Sequence, residues 1–404
     1  MESSEFVRNY VLLRYKDVAM PTPNLFVLSD SVMDELEKHQ GPVAFDYETS
    51  GLKWKDDGFL IRSVSFHNDE ISLAIEVYNP YVKPETRDRL MNYIANHRGL
   101  IAHNAMFEAG VTFAVTGKIP AILCCTRALG MQLAGEGSPG QSWGLKALAK
   151  DLLGWGDWSK GVDVKNAMDI PWDILGKYNQ IDSAATWELF KIMRDVVAAH
   201  KSTWGKFFWE YHQQDYMNLV DLQIEAYSQG LNIDEAKTIT YQGVVQQEIE
   251  DKRKEWYSHE IISQGIKEFN KSVVDELKGQ LKKMPVTRKD GQVTKRWENA
   301  KAKVQEAEVT MHFNIDSNTH LKWMLYDYLK LESPKKTKKG EPSVDADSLE
   351  RIPIYGEMIL SYRASIAMFK FLRALLSNQK GGIVRIPIKT PGTITGRCSA
   401  GEIE

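Results

Sequence analysis

The chain changes texture along its length. Between about residues 40 and 200, short apolar runs alternate with short amphipathic stretches, whereas beyond about residue 205 long helical patterns dominate. Residues 31–39 read as a helix, with Ser29, Asp30 and Ser31 offering capping groups. Val43, Ala44 and Phe45 form a short buried strand that ends in Asp46 and Glu48. Residues 61–66 and 71–75 follow as two strands joined by the turn 67–70. An amphipathic helix over 87–95 leads to a buried strand at 99–102, and His103-Asn104 opens a helix running to about Val115. Residues 145–153 make another helix, stopped by Gly154, and a further one carries Tyr178 and Asp182. In the second half, Tyr216, Leu219, Val220, Ile224 and Tyr227 form an apolar stripe that ends at Gly230. Residues 241–310 continue as helix, broken by a basic turn at 285–291. The stretch 313–317 caps a helix bearing Leu321, Met324, Leu325, Tyr328 and Leu329. A helix over 359–376 and two extended runs complete the chain.

Side chains two apart on a strand share a face, so Asp46 and Glu48 project together while Phe45 and Tyr47 enter the opposite layer. Two adjacent carboxylates repel unless a cation neutralises them, and hard divalent ions take carboxylate oxygens. An isolated Asp-x-Glu is more often a solvated strand end. Tyr178 and Asp182 stand four apart on one helix face and can reach one site. Trp143, Trp155, Trp158 and Trp172 crowd the Gly- and Ser-rich stretch 135–176, where they either fill the core or stack on bases.

With 404 residues, 43% hydrophobic and 26% charged, the chain has the composition of a soluble protein of two or three domains. Three cysteines make no disulfide framework and point to a reducing, cytoplasmic setting. No apolar run spans a bilayer, and the polar start lacks a signal peptide's core, so no membrane partner is expected. The net charge of −3 hides an asymmetry. From Lys278 onward there are 23 basic and 14 acidic residues, leaving the rest of the chain acidic. Arg363, Lys370, Arg373, Arg385, Lys389 and Arg397 lie among apolar residues, a distribution that suits a polyanion.

Asp46-Tyr47-Glu48-Thr49, Asn104 with Phe107 and Glu108, and Tyr178 with Asp182 together resemble the three motifs of the DEDDy 3′–5′ exonucleases. The second half resembles the thumb-side start of a family A DNA polymerase, the bacterial polymerase I-like and phage-type family. That likeness rests on Gly230–Asp234, Phe313-Asn314 with Ser317 and Leu321, Gly340–Ser343, Ser361–Arg363 and Thr393–Arg397. The resemblance implies an α/β RNase H-like exonuclease domain at 1–204, a mixed sheet with flanking helices. A mostly α-helical thumb-like region at 205–390 and the start of the palm at 391–404 would follow. It further implies that Asp46, Glu48, Glu108 and Asp182 hold two Mg2+ or Mn2+ ions, with Tyr178 orienting the attacking water. Thr49, Asn104 and Phe107 would shape the cleft for a single-stranded 3′ end, while Lys389 and Arg397 would touch the primer–template backbone.

Two departures qualify the resemblance. Glu108 replaces the family's usual Asp, so reduced exonuclease activity, or a DNA-binding docking subunit without it, is the alternative expectation. A ribonuclease of the same fold fits the thumb-like half poorly. The chain also lacks the family's fingers and palm, so it is expected not to polymerise DNA without a C-terminal partner that carries them. A fragment, a split gene and a split intein starting at Cys398 all account for that ending, as does Cys398 merely standing in for a leucine. If phage-encoded, the protein would work in the host cytoplasm.

Overall fold

Strand β2, Val43–Thr49, lies inside a mixed sheet, and its neighbours explain its sequence. The computed structural model describes residues 18–134, 142–199, 208–287, 292–337, 339–389 and 399–401. Among these, six strands form the main sheet: β1 Leu25–Val27, β2, β3 Ile61–His67, β4 Ser72–Glu76, β5 Leu100–Ala102 and β6 Ile122–Cys125. Their spatial order is β1-β4-β3-β2-β5-β6. β2–β3 and β3–β4 are antiparallel, while β1–β4, β2–β5 and β5–β6 are parallel. A strand buried on both faces needs apolar residues throughout, and Val43, Ala44 and Phe45 are fully buried.

Helices cover both faces. α1 Asp30–Leu36, α2 Pro84–Asn96 and α3 Ala105–Thr116 belong to one side; α4 Thr126–Ala134, α5 Leu145–Leu153 and the long α6 Trp172–Ala199 belong to the other. Ser29 caps α1 by accepting from the Val32 N–H, as its sequence suggested. Gly154 closes α5 in the left-handed conformation, at φ 70°, which a glycine adopts without a Cβ penalty. Phe45 and Tyr47 point into the first layer. There the Tyr47 hydroxyl meets Thr112 Oγ1 at 3.1 Å. Ala44 and Ile101 enter the second core with Leu148, Ala185, Leu189 and Ile192. Each fully buried aliphatic or aromatic side chain contributes roughly 1.5–3 kcal/mol.

The chain divides into two compact units. One comprises Met1–Asn232 with Gln379–Glu404, the other Ile233–Asn378. Helix α7, Met217–Gln229, belongs to the first unit, where its stripe of Met217, Val220, Ile224 and Tyr227 packs in the first core with Trp54. The stripe was legible in the sequence, but nothing in it named the surface it would cover. The short pair β7 Leu231–Asn232 and β8 Ile383–Val384 also belongs to this first unit. The second unit is helical: α8 Glu235–Ser258, α9 Glu260–Lys282, α10 Lys295–Val309, α11 Asn318–Lys322, α12 Ala346–Leu349 and α13 Tyr355–Asn378. Trp256, Phe313, Leu321, Leu325, Ile359 and Tyr362 lie in its core.

His212 is buried beneath β6. It accepts the Cys125 N–H at Nε2 and meets Gln132 Oε1 through Nδ1 at 3.0 Å. That tautomer is neutral, and burial lowers the imidazole pKa to about 4. An unfolded histidine titrates near 6.5, so between about pH 6.5 and 4 the unfolded chain binds the extra proton. The stability tied to His212 is therefore complete above pH 6.5 and lost as pH falls, on the order of 3 kcal/mol in all. Urea unfolding of the wild type and His212→Asn from pH 7.5 to 4.5 should show a shallower pH slope in the variant. Gly110 makes a second test: a Cβ there would sit 2.5 Å from the buried Trp54 indole nitrogen. Gly110→Ala should cost about 1–3 kcal/mol in the same measurement.

Candidate active site

Two elements bring the site together. β2 carries Asp46 and Glu48 on the face covered by α6, and α6 carries Tyr178 and Asp182 four residues apart on one face. Ligand oxygens of Asp46, Glu48 and Asp182 lie within 4.8 Å of one another. The β2–β3 register shifts between Glu48 and Thr49, a local irregularity of the kind that re-aims side chains beside sites. Thr49 is buried, and its hydroxyl donates to the Gly51 carbonyl at 2.7 Å, closing the turn.

Asn179 locks strand and helix to one another. Its amide donates to Asp46 Oδ2 at 2.9 Å and to the Asp46 carbonyl at 3.1 Å. Its side-chain oxygen accepts from Ser63, and its carbonyl accepts from Ser65. The strand-borne and helix-borne carboxylates are thereby held at fixed separation. Asp182 has partners of its own. Lys146 Nζ approaches Asp182 Oδ2 at 2.6 Å and Oδ1 at 2.8 Å, and the Trp158 indole N–H donates to Oδ1 at 2.6 Å. The same ammonium reaches the Tyr178 hydroxyl at 2.7 Å.

Glu108 lies on α3, fully buried, and is not among the three residues whose oxygens converge. Its Oε2 has no hydrogen-bond partner. Burial raises its pKa well above the usual carboxylate range, and the Asp46 charge adds to the rise. Burial does the same to Asp46, with the Asp182 charge adding to the rise, and to Glu48, where Asp46 and Asp182 both add to it. Asp182 is also raised by burial, against the lowering influence of Lys146 and Trp158. Burial lifts the Tyr178 hydroxyl too, so it stays protonated at neutral pH. A buried group of acids pushed together toward protonation is short of positive charge, and a divalent ion reverses that balance. The donor set, all carboxylate oxygen, matches the preference of Mg2+ and Mn2+. The residues fit a hard cation.

Among the described residues, no hydrogen bond ties the remaining expected site residues to the carboxylates. Asn104 is exposed at the start of α3, its side-chain oxygen 3.4 Å from Arg127 Nη1. Phe107 is partly buried against the first core. Lys389 lies in the short strand β9, Ile388–Lys389, but its side chain, like Arg397 and Cys398, falls outside the described residues. In the helical unit, Arg363 donates to the Val344 carbonyl and to Asn318 Oδ1. Lys335 bridges Asp345 and Asp347, so the basic loop there is partly self-neutralised.

Three site residues escaped the sequence reading. Asn179 adjoins Tyr178 but carries no acid–base signal. Lys146 reads as a solvated lysine of an amphipathic helix. Trp158 sat in a group of tryptophans whose bulk suggested core filling, and only the fold aims its N–H at Asp182.

Residues 27–198 match the family model described as 3′-5′ exonuclease, and residues 284–403 match DNA polymerase family A. A DNA polymerase of Bacillus phage SP01 is 24% identical over 257 residues, which are 61% of this chain and 26% of that protein. This chain therefore spans about a quarter of that relative's length. The solved POL domain of Pol1 from M. smegmatis, in complex with DNA primer-template and dNTP, superposes with a TM-score of 0.61 at 16% identity, covering 93% of this chain and 55% of that one. At that identity the likeness concerns the fold. The chain thus carries a 3′-5′ exonuclease domain over residues 27–198, a stretch that takes in Asp46, Glu48, Glu108 and Asp182, followed over residues 284–403 by a segment that matches the family A DNA polymerases.

Proposed function

We propose that the first unit hydrolyses the 3′-terminal phosphodiester of DNA with the help of divalent cations, as a proofreading exonuclease. The observation that carries this reading is the convergence of Asp46, Glu48 and Asp182 oxygens within 4.8 Å from a strand and a helix. These three carboxylates would hold one Mg2+ or Mn2+. The buried Glu108, whose Oε2 has no hydrogen-bond partner, would help Asp46 to hold a second ion. Bound divalent ions supply an activated water and stabilise the charge that develops on attacking and leaving oxygens.

The chain's own residues supply the rest. Tyr178, kept protonated by burial, donates its hydroxyl proton to orient the attacking water and does not act as base. Glu48 accepts from the same water. Attack on phosphorus expels the 3′-oxygen of the penultimate nucleotide and releases a nucleoside monophosphate. Asn104 and Phe107 would shape the cleft for the 3′ nucleotide, as the family likeness implies. Leu52, 80% exposed three residues beyond Thr49, offers an apolar face to an unstacked base. Thr49 acts through the turn that its hydroxyl closes.

The helical unit is read as the thumb-like part that grips duplex DNA through phosphates. Lys322, Arg363 and Lys370 line one of its clefts. Lys389 and Arg397 would add contacts to the primer–template backbone, as the family likeness implies. The alternative of a docking subunit with a decayed site draws no support from three carboxylates that still converge.

In a 3′-labelled single-strand assay, Asp46→Ala with Glu48→Ala should cut magnesium-dependent trimming by at least about a thousandfold, a loss of roughly 4 kcal/mol of transition-state stabilisation. Equal trimming by parent and variant contradicts the assignment. Asn179→Ala removes the amide from half-buried Asp46 and leaves Ser63 without its acceptor. It should destabilise the first unit by about 1–3 kcal/mol. It should also shrink the rise in melting temperature that Mn2+ produces, since Asp46 then ionises less readily; differential scanning fluorimetry with and without Mn2+ reads both.

A further inference from the structure

We infer that Lys146 is a built-in counter-ion that holds the metal-free site closed and competes with the divalent cation for Asp182. The inference rests on the reading of Asp46, Glu48 and Asp182 as metal ligands and specifies what a cation meets on arrival.

The geometry around the ammonium is that of a cation site. Lys146 Nζ has three oxygens close by: Asp182 Oδ2 at 2.6 Å, Asp182 Oδ1 at 2.8 Å and the Tyr178 hydroxyl at 2.7 Å. It lies 4.4 Å from the Tyr178 ring centroid and 5.3 Å from that of Trp158, so two aromatic faces help to hold it. With the Trp158 N–H also on Oδ1, both Asp182 oxygens are engaged. Tyr178, the group assigned to water, is engaged as well.

The position of Lys146 is otherwise unfavourable. It is the second residue of α5, in a first turn that has no acidic residue and no side-chain cap. A cation there faces the positive end of the helix dipole. The compensation comes from the Asp182 carboxylate in contact with the ammonium and from Asp46 and Glu48, which converge with Asp182. A lysine drawn into a partly buried place against the local dipole, by acids that lack another cation, is what an internal charge substitute requires.

Competition follows from the donors. A divalent ion needs free carboxylate lone pairs at about 2 Å. An ammonium on both oxygens of Asp182 occupies those lone pairs and repels the arriving charge. For the ion to bind, Lys146 must withdraw from Asp182; the side chain is 29% exposed and has a route to solvent. Its withdrawal also frees the Tyr178 hydroxyl for water. Metal binding and the release of the water-orienting tyrosine are then one event. Lys146 is thus a positioning residue that acts through Asp182 and Tyr178.

The test is a Mn2+ titration of metal-free protein without DNA, read by electron paramagnetic resonance of free Mn2+, for the wild type, Lys146→Met and Lys146→Arg. The expected result is at least tenfold tighter Mn2+ binding in Lys146→Met and near-wild-type binding in Lys146→Arg, which retains the charge. Melting temperatures add an independent reading: Lys146→Met should melt below wild type without metal and at or above it in saturating Mn2+. Affinities equal within twofold, or weaker binding in Lys146→Met, overturn the inference while leaving the metal-ligand reading in place. Absence of binding at this site in the wild type, shown by a titration indistinguishable from that of Asp46→Ala with Glu48→Ala, overturns both. If Lys146→Met does not fold, Lys146→Gln takes its place under the same criteria.

Discussion

Mutual repulsion among buried carboxylates is the constraint around which the first unit is arranged. Asp46, Glu48 and Asp182 face one another within 4.8 Å, and Glu108 is buried close enough to feel the Asp46 charge. Left alone, such a group spreads apart or takes up protons. The sheet prevents the first outcome. β2 lies between β3 and β5, with both flanks hydrogen-bonded, and α6 is tied to β2 and β3 through Asn179, Ser63 and Ser65. The hydrophobic cores on either face make movement of strand or helix costly. Stability elsewhere thus holds a locally unfavourable arrangement in place, as is common at functional sites.

Several parts of this arrangement could be read from residues alone. The period-two pattern at 43–49 placed Asp46 and Glu48 together and sent Phe45 and Tyr47 into the other layer, where both are buried. Ser29, Gly154 and Ser317 marked helix ends by local hydrogen bonding and backbone freedom, properties that need no tertiary context. The family resemblance added what periodicity does not contain: that Glu108 and Asp182, on separate elements, belong with Asp46.

What escaped the sequence was long-range. Trp158 and Lys146 reach Asp182 across 24 and 36 residues, from elements whose own patterns look ordinary. Asn179 fills a helix position with no periodic reason to be polar until the strand beneath it is known. The stripe on α7 was visible, but the side on which it packs depends on Trp54 and its neighbours, more than 160 residues earlier in the chain. Local rules fix the elements; which charges end up sharing a cavity is decided by topology.

The account's central claim is that these carboxylates hold a divalent cation against the 3′ end of a DNA strand. Crystals grown with Mn2+ and a short single-stranded oligonucleotide, its terminal linkage a phosphorothioate to slow cleavage, test it directly by anomalous diffraction. The account predicts a Mn2+ peak ligated by Asp46, Glu48 and Asp182, with the terminal phosphate beside it. A cleft with DNA bound elsewhere, or with no Mn2+ among these three residues, would contradict it.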